Sequence, residues 1–534
     1  MEALSRVPVA VLALVSVLSF DAAAQCTGPK VGSSNGGAVD KFGDVTAISG
    51  DLLVVGAQFH DGVGQDSGAA YVFERSGSAW VEAAFLTSSD IATNDRFGSA
   101  VDTDGTRVIV GVRYNNDPGY GGGNAYVFER VAGSWVELQK IAANDQKAND
   151  FFGDGVAIDG DTALIGAPFD DDGGPDAGTV YVLDRTLGLY QESALLTAPD
   201  AQIDDRFGQS VDLSGDRALV GAPLRDEQGA NSGVAYVFER SGTFQPAAKL
   251  VPSIGGVDWQ AGIYVAIDGD TAVVAAPLAS IDVPRDGAVF VFEREPSGAW
   301  VERDVLRPPV PSPNLLFGTD VDVDGDVLIV GARGDDTAAS NAGAAYVFRR
   351  GPSGWKGAGM LRASDATASD DFGHSVAVSG PYVAVGARHA PTGGVSTGAV
   401  YLFDHSDEIA YQGQGCPGTG GFVPGLRLAG CPAPGGSVRL SIERGLGGGA
   451  SFLVVGTPGT GVPLGSGCVL HVGGPLRLVG PLALSGGGPG DGALQLDLVV
   501  PPGTPTGVTA TQAFVVDVSA PSGFCASNGL RVEL

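Results

Sequence analysis

The sequence predicts an all-β chain: a seven-bladed β-propeller of four-stranded blades followed by a small C-terminal β-sandwich-like domain. Three observations carry this. A Phe-Gly dipeptide returns every 55 residues, at Phe42, Phe97, Phe152, Phe207, Phe317 and Phe372. The one double-length gap holds a degenerate copy, Ala261-Gly262, which brings the count to seven. Each copy splits into four short apolar segments between Gly-rich or Pro-rich turns, and long helical periodicity is missing. A period of this size means units that lean on one another to bury their apolar faces. Seven units of four strands is the arithmetic of a propeller; a linear β-solenoid, the alternative, has shorter coils.

Copy three shows the elements in order. After Phe152-Gly153, a first strand runs through Val156-Ala157-Ile158 and turns at Asp159-Gly160-Asp161. Gly at such a hairpin supplies positive φ without steric cost, and it recurs at Gly50, Gly105, Gly215, Gly269, Gly325 and Gly380. The second strand is apolar throughout, as a strand covered on both faces must be. An acidic loop, 169–178, leads to the third strand, Tyr181-Val182-Leu183-Asp184-Arg185. Its counterparts begin at Tyr71, Tyr126, Tyr236, Phe290, Tyr346 and Tyr401, each 29 residues after its anchor. Alternation puts Tyr and Phe on one face and Val on the other. The fourth strand often opens on an aromatic: Trp80, Trp135, Tyr190, Trp300, Trp355. The seventh copy lacks a good fourth strand, so residues 25–33 are expected to complete its blade and remove an exposed edge.

Three segments follow. Residues 1–24 read as an export signal: a short polar start, the apolar run 7–20, and Ala22-Ala23-Ala24 as a small-residue cleavage site. Residues 25–410 are the propeller, and 411–534 the second β domain. In that tail Lys disappears, Pro-Gly turns increase, and strands are expected at 438–442, 452–455, 494–500 and 513–518. Export places the chain in a disulfide-permissive setting. Cys26, Cys416, Cys431, Cys468 and Cys525 can form two pairs with one left over, in a connectivity that sequence does not specify.

The net charge is −30, almost all of it on the propeller, since the tail is neutral. Such a surface disfavours nucleic acid and anionic lipid. No membrane insertion is expected beyond the leader, and the protein is expected to be secreted or at the cell surface, as a monomer.

Phe-Gly followed 14 residues later by Gly166-Ala167-Pro168 or Gly221-Ala222-Pro223 resembles the FG-GAP repeat, with looser versions such as Gly331-Ala332-Arg333 and Gly386-Ala387-Arg388. That repeat builds the propeller of integrin α subunits and of many secreted bacterial proteins, and this chain is most similar to the bacterial branch. The resemblance implies a ligand-binding or adhesive surface for an extracellular glycan or protein and, in integrins, calcium. The integrin calcium loops lie between the two motifs, where this chain has only tight turns such as 159–161, too few oxygens for calcium. The acidic loops after the second motif are the alternative calcium candidates, chiefly Asp170, Asp171, Asp172 and Asp176. The competing reading is that these residues shape turns through their own backbone bonds. Asp95 and Asp150, just before Phe-Gly, read as turn formers. The Gly-Gln-Gly-Cys-Pro-Gly stretch (413–418) and Ser527-Asn528-Gly529-Leu530 resemble a C-terminal module of secreted bacterial repeat proteins.

A catalytic signature is harder to find. The G-x-S-x-G at 32–36 and the G-x-G-x-x-G at 413–418 do not open helices after strands, which both mechanisms require. His374 and His389 sit in one copy without metal-ligand spacing and read as surface histidines. The primary expectation is a non-enzymatic binding or adhesion propeller; the alternative is a polysaccharide lyase or hydrolase working at the propeller mouth. An enzyme needs a copy-specific cluster that breaks the repeat on one ring face. Copy five breaks it most, and there Trp259 is the candidate ligand contact, able to stack on a sugar ring.

Overall fold

The computed structural model describes residues 29–404, apart from 78, 117–118, 352–353 and 393, together with the backbone of eight further strands between 410 and 533. Every extended element among them is a strand, and none is a helix. Seven four-stranded antiparallel sheets form the blades of a propeller, six of them pairing their strands in chain order. Blade 3 is Val156–Asp159, Thr162–Ala167, Thr179–Thr186 and Leu189–Leu196. The other blades span 45–86, 100–141, 211–250, 264–306 and 321–361, and the last spans 372–404.

The last blade has only three strands of its own. Its fourth is Lys30–Val31, which pairs antiparallel with Ala399–Asp404 through Lys30 and Tyr401 and through Val31 and Val400. Lys30 adds an ion pair to Asp365 at 2.7 Å. The chain thus closes its own ring, the N-terminal strand supplying the outer strand of blade 7.

Blades pack through the Phe-Gly motif. In six blades the Phe is buried and packs on the aromatic residues of its own third strand, as Phe207 meets Tyr236 at 5.7 Å and Phe238 at 5.9 Å edge-on. This aromatic face packs against the Val face of the preceding blade. Seven hydrophobic clusters result, one per interface, such as Val180 and Val182 of blade 3 against Phe207, Tyr236 and Phe238 of blade 4. The alternation Tyr-Val-Phe therefore serves two interfaces with one strand.

The Phe backbone also staples the blades together. The Phe97 amide donates to the Ser67 carbonyl at 2.8 Å, and Phe372 does the same to Ala342 at 2.9 Å, each crossing to the preceding blade. The partner segment ends in a glycine just before the third strand, in parallel register with Phe: Gly68 with Phe97, Gly123 with Phe152, Gly343 with Phe372. At Gly123, φ is +77° and an added Cβ would stand 2.1 Å from the Phe152 carbonyl oxygen. Both backbone conformation and space demand glycine there.

At the other end of the blades, third strands are tied by ion pairs from each Arg to the acid of the preceding blade. Arg130 reaches Glu74 at 3.0 Å, Arg185 reaches Glu129 at 3.0 Å, and Arg294 reaches Glu239 at 2.6 Å. Being partly exposed, each such pair adds at most about 1 kcal/mol.

In the tail, one sheet orders Ala410–Gln412, Phe524–Glu533, Val508–Val516, Ala450–Gly465 and Cys468–Ala483. A second orders Gly425–Gly430, Ser437–Leu446 and Pro489–Val499. All four expected strands have a counterpart here. Four more, Ala410–Gln412, Gly425–Gly430, Cys468–Ala483 and Phe524–Glu533, were not expected. The leader and the cysteine pairing lie outside the described residues.

The glycine staple gives a paired test. Gly123→Ala should lower stability by about 3 kcal/mol or more, since backbone strain and a clash add. Gly160→Asn, at a hairpin where φ is +57° and nothing stands within 4 Å, should cost about 1 kcal/mol or less. Urea unfolding of the two variants measures both.

Candidate functional site

The seven first strands line a central channel, a cavity of about 620 Å³. A first strand is the inner edge of its blade, so its outward N–H groups lack a strand partner. Side chains of the preceding blade supply the acceptors. Asp102 accepts from the Ile158 amide at 2.7 Å, Asp212 from Ile267 at 2.6 Å, and Asp322 from Val378 at 2.6 Å. These three stand on alternate blades, two periods apart, with alanine at the same place in the other four (Ala47, Ala157, Ala266, Ala377). A second tier repeats the pattern at the hairpins: Asp159 takes Gly215, Asp268 takes Gly325, and Asp324 takes Gly380. Burial pushes the Asp102 carboxyl up to about 8, helped by Asp212, and pushes Asp212 and Asp320 up to about 7. The channel carboxylates therefore work as braces between blades.

One end of the ring carries both the loops between second and third strands and the loops that enter each Phe-Gly, because antiparallel alternation puts them together. At this loop face, the last blade meets the first in a cluster that breaks the repeat. Asp44 accepts from Gln58 and lies 3.1 Å from His374 Nε2 and 3.3 Å from Arg388 Nη1. Arg388 Nε also reaches Asp371 at 3.0 Å, and His389 Nδ1 lies 3.3 Å from the same carboxylate. Burial opposes the charge on Asp44, but His374, Gln58 and Arg388 together hold it well below the usual carboxylate range. Burial also lowers His374, against the pull of Asp44. His374 is thus no surface histidine: its side chain is 13% exposed. Its Nδ1 is buried without a partner. Across the mouth, Arg113 pairs with Asp154 at 2.8 Å.

The predicted calcium loop is built around internal hydrogen bonds. Asp170 is fully buried. Its carboxylate accepts from the Asp172 amide at 2.8 Å, from Thr179 Oγ1 at 2.9 Å and from the Tyr181 hydroxyl at 3.1 Å. Asp171 accepts from the Asp176 amide at 3.0 Å, and Asp176 takes a positive φ of 50°. The same place in other copies holds Asn115 and Arg225, which hydrogen-bond Asp95 and Asp205. Asp170 and Asp171 therefore spend carboxylate oxygens on the turn itself, oxygens that a calcium cage would need. Among the described residues, no three His, Cys, Asp or Glu side chains converge as metal ligands. Trp259 is half-buried against the cluster at the blade 4 and blade 5 interface, which takes part of its stacking surface.

Two columns of the repeat were invisible copy by copy. One is the residue directly before Phe-Gly or its Ala-Gly equivalent: Lys41, Arg96, Phe151, Arg206, Gln260, Leu316 and Asp371, each with a φ between 54° and 58°. The other is the residue after the Gly-Ala-Pro triplet: Phe59, Tyr114, Phe169 and their counterparts. Around blades 1 to 4 the columns interlock. Lys41 sits over Phe59 at 4.1 Å, and Arg96 lies 4.6 Å from both Phe59 and Tyr114. Tyr114 meets Phe151 at 5.3 Å, Phe151 meets Phe169 at 4.8 Å, and Arg206 covers Phe169 at 3.5 Å. Nothing in a single copy marks these residues; only the aligned column does.

A family model described as the FG-GAP repeat matches residues 30–73, 80–128, 135–183, 190–238, 300–348 and 355–403, more than half of the chain. Most matches start in a fourth strand, and the unmatched stretch holds blade 5 with its Ala261. No curated protein matches the sequence. Among solved structures, the β-propeller domain of the Trilobed protease from Pyrococcus furiosus, described as having an open velcro topology, is similar at 10% identity with a TM-score of 0.37. The similarity covers 67% of this chain and 94% of that one.

Two outcomes are expected. EDTA should leave the melting temperature unchanged, whereas Asp170→Ala should cost about 1–3 kcal/mol by leaving Thr179 and the Asp172 amide without their acceptor, Tyr181 keeping Asp145. Differential scanning calorimetry reads both. The second concerns pH. Asp102, Asp212 and Asp320 keep protons in the folded chain that the unfolded chain releases near pH 4. Stability should therefore fall as pH rises from about 4 to about 8. Asp102→Asn should flatten that fall in urea midpoints; an unchanged slope would contradict it. Asp44 acts in the opposite sense, and its contribution is lost as pH drops below about 4.

Proposed function

Because this chain belongs to the FG-GAP repeat family, we propose that it is a secreted, non-enzymatic binding or adhesion propeller that takes a glycan or protein ligand on its loop face. The observation that carries this reading is where the exposed apolar side chains stand. Val39, Val63, Tyr120, Ile203, Val257, Val310 and Val395 all lie in loops of that face, distributed over six of the seven blades. The opposite face has Val131, Leu187 and Leu189 at its described hairpins, confined to two blades. Exposed apolar groups gathered on one surface mark contact with a partner. The other support is the division of labour within the repeat: motif residues are buried in the interfaces, and the loop residues differ from copy to copy.

An extracellular setting is supported by the apolar leader. Among the described residues no helix is long and apolar enough to cross a membrane. The copy-specific cluster of His374, Asp44, Arg388, Asp371 and His389 is where a lyase or hydrolase site would stand. Its charged groups are engaged with one another, and the free nitrogen of His374 is shut off from solvent. That arrangement favours binding over turnover.

A glycan array and a panel of extracellular matrix proteins should retain the wild-type chain. Tyr120→Glu combined with Val257→Glu and Val310→Glu should lose that retention, while Val136→Glu on an outer strand should keep it. Release of cleaved product from a bound glycan would instead establish the enzymatic alternative.

A further inference from the structure

We infer that the arc from Lys41 to Arg206 is a binding site for an anionic polysaccharide, a chain of carboxylated or sulfated pyranose rings. The inference rests on the loop-face reading above and names the ligand class for one sector of it.

The first support is charge. The protein carries a net charge of −30, and most of its cations are tied to acids. In the arc they are not. Among the described residues, Lys41, Arg96 and Arg206 contact aromatic rings and make no ion pair. Elsewhere on the face, Arg113 pairs with Asp154, Arg225 with Asp200 and Asp205, and Arg388 with Asp44 and Asp371, while among the described residues Arg285 and Arg333 make no ion pair but also sit over no aromatic ring.

The acid that precedes each arc residue is turned inward. Asp40, Asp95, Asp150 and Asp205 accept from the amides of Gly37, Ala92, Lys147 and Gln202 at 2.6 to 2.7 Å. They cap their own loops and leave the outer surface to the cations. Asp176 and Asp204, beside Arg206, end the arc at blade 3. The acidic surface repels a polyanion, and the arc is where unpaired cations and aromatic rings coincide.

The second support is shape. Phe59, Tyr114, Phe151 and Phe169 are half-buried, and exposed Tyr120 stands 6.4 Å from Tyr114. Pyranose rings stack on such aromatic edges and faces, and a guanidinium held flat on a ring keeps its N–H fork free for a carboxylate or sulfate. The left-handed backbone at Lys41, Arg96, Phe151 and Arg206 recurs in every copy, so successive contacts advance by one blade each. A regular polymer fits a regular ladder. An acidic peptide offers the charge without the rings.

The test uses the full chain on immobilised polygalacturonate, dextran sulfate, unmodified dextran and poly-glutamate. Wild type should bind polygalacturonate, dextran sulfate or both, weaken as sodium chloride rises, and ignore dextran and poly-glutamate. The two charged polymers separate carboxylate from sulfate as the preferred group. The K41Q/R96Q/R206Q variant should lose about tenfold or more in affinity at an unchanged melting temperature. Arg96→Lys should retain more binding than Arg96→Gln. Tyr114→Leu should weaken binding without changing its salt dependence. Equal binding of poly-glutamate overturns the proposal, as does full binding by the triple variant. If the triple variant binds normally while the Tyr120, Val257 and Val310 variant does not, the arc fails and the loop-face reading stands. If neither changes binding, the loop-face reading fails as well.

Discussion

The structure depends on one backbone pairing, the parallel bridge between the Phe of each Phe-Gly and the glycine that opens the third strand of the blade before it. The amide of Phe97 donates to Ser67, and the close approach of Gly68 leaves no room for a side chain. This contact fixes the distance and the rotation between blades. With it in place, the Phe ring falls onto Tyr and Phe of its own third strand, and the Val face of the preceding blade closes over them. The burial that results is the main favourable term in a fold whose every unit is too small to stand alone.

The same pairing distributes two kinds of side chain. Inward, it sets the first strands side by side around a channel, close enough for a carboxylate on one blade to reach an amide on the next. Asp102, Asp212 and Asp322 do this at one height, and Asp159, Asp268 and Asp324 at the hairpins. Outward, it turns the residue before Phe-Gly through a left-handed backbone onto the loop face. Structural bracing and ligand presentation are therefore separated by a few residues of one motif.

Blade 5 shows how far the motif tolerates loss. Ala261 replaces the Phe, yet its amide still donates to Ser232 at 2.9 Å and it still bridges Gly233. Phe290 replaces the Tyr whose hydroxyl, in copies such as Tyr126 and Tyr236, binds an Asp 36 residues earlier. The residue 36 before Phe290 is Ile254, so donor and acceptor vanish together and no polar group is stranded. Backbone geometry is retained where side-chain packing is not, which identifies the backbone pairing as the stricter requirement.

The repeat, its count, the four strands per copy and the hairpin glycines were all legible in the sequence, because each is local or periodic. Glycine at a tight turn and alternation along a strand are readable without neighbours. Much of the candidate site was not. Asp170 to Asp176 look like metal ligands in one dimension. Only the fold shows that Asp170 points inward to Tyr181 and Thr179 and that the loop uses its oxygens to hold its own turn. His374 and Asp44 are more than three hundred residues apart, and ring closure alone makes them neighbours. Lys41, Phe59, Arg96 and Tyr114 belong to four different loops whose order in space follows from the propeller's rotation. The sequence by itself determined the unit and its number. The tertiary structure decided which side chains meet, because contact between blades depends on closing the ring.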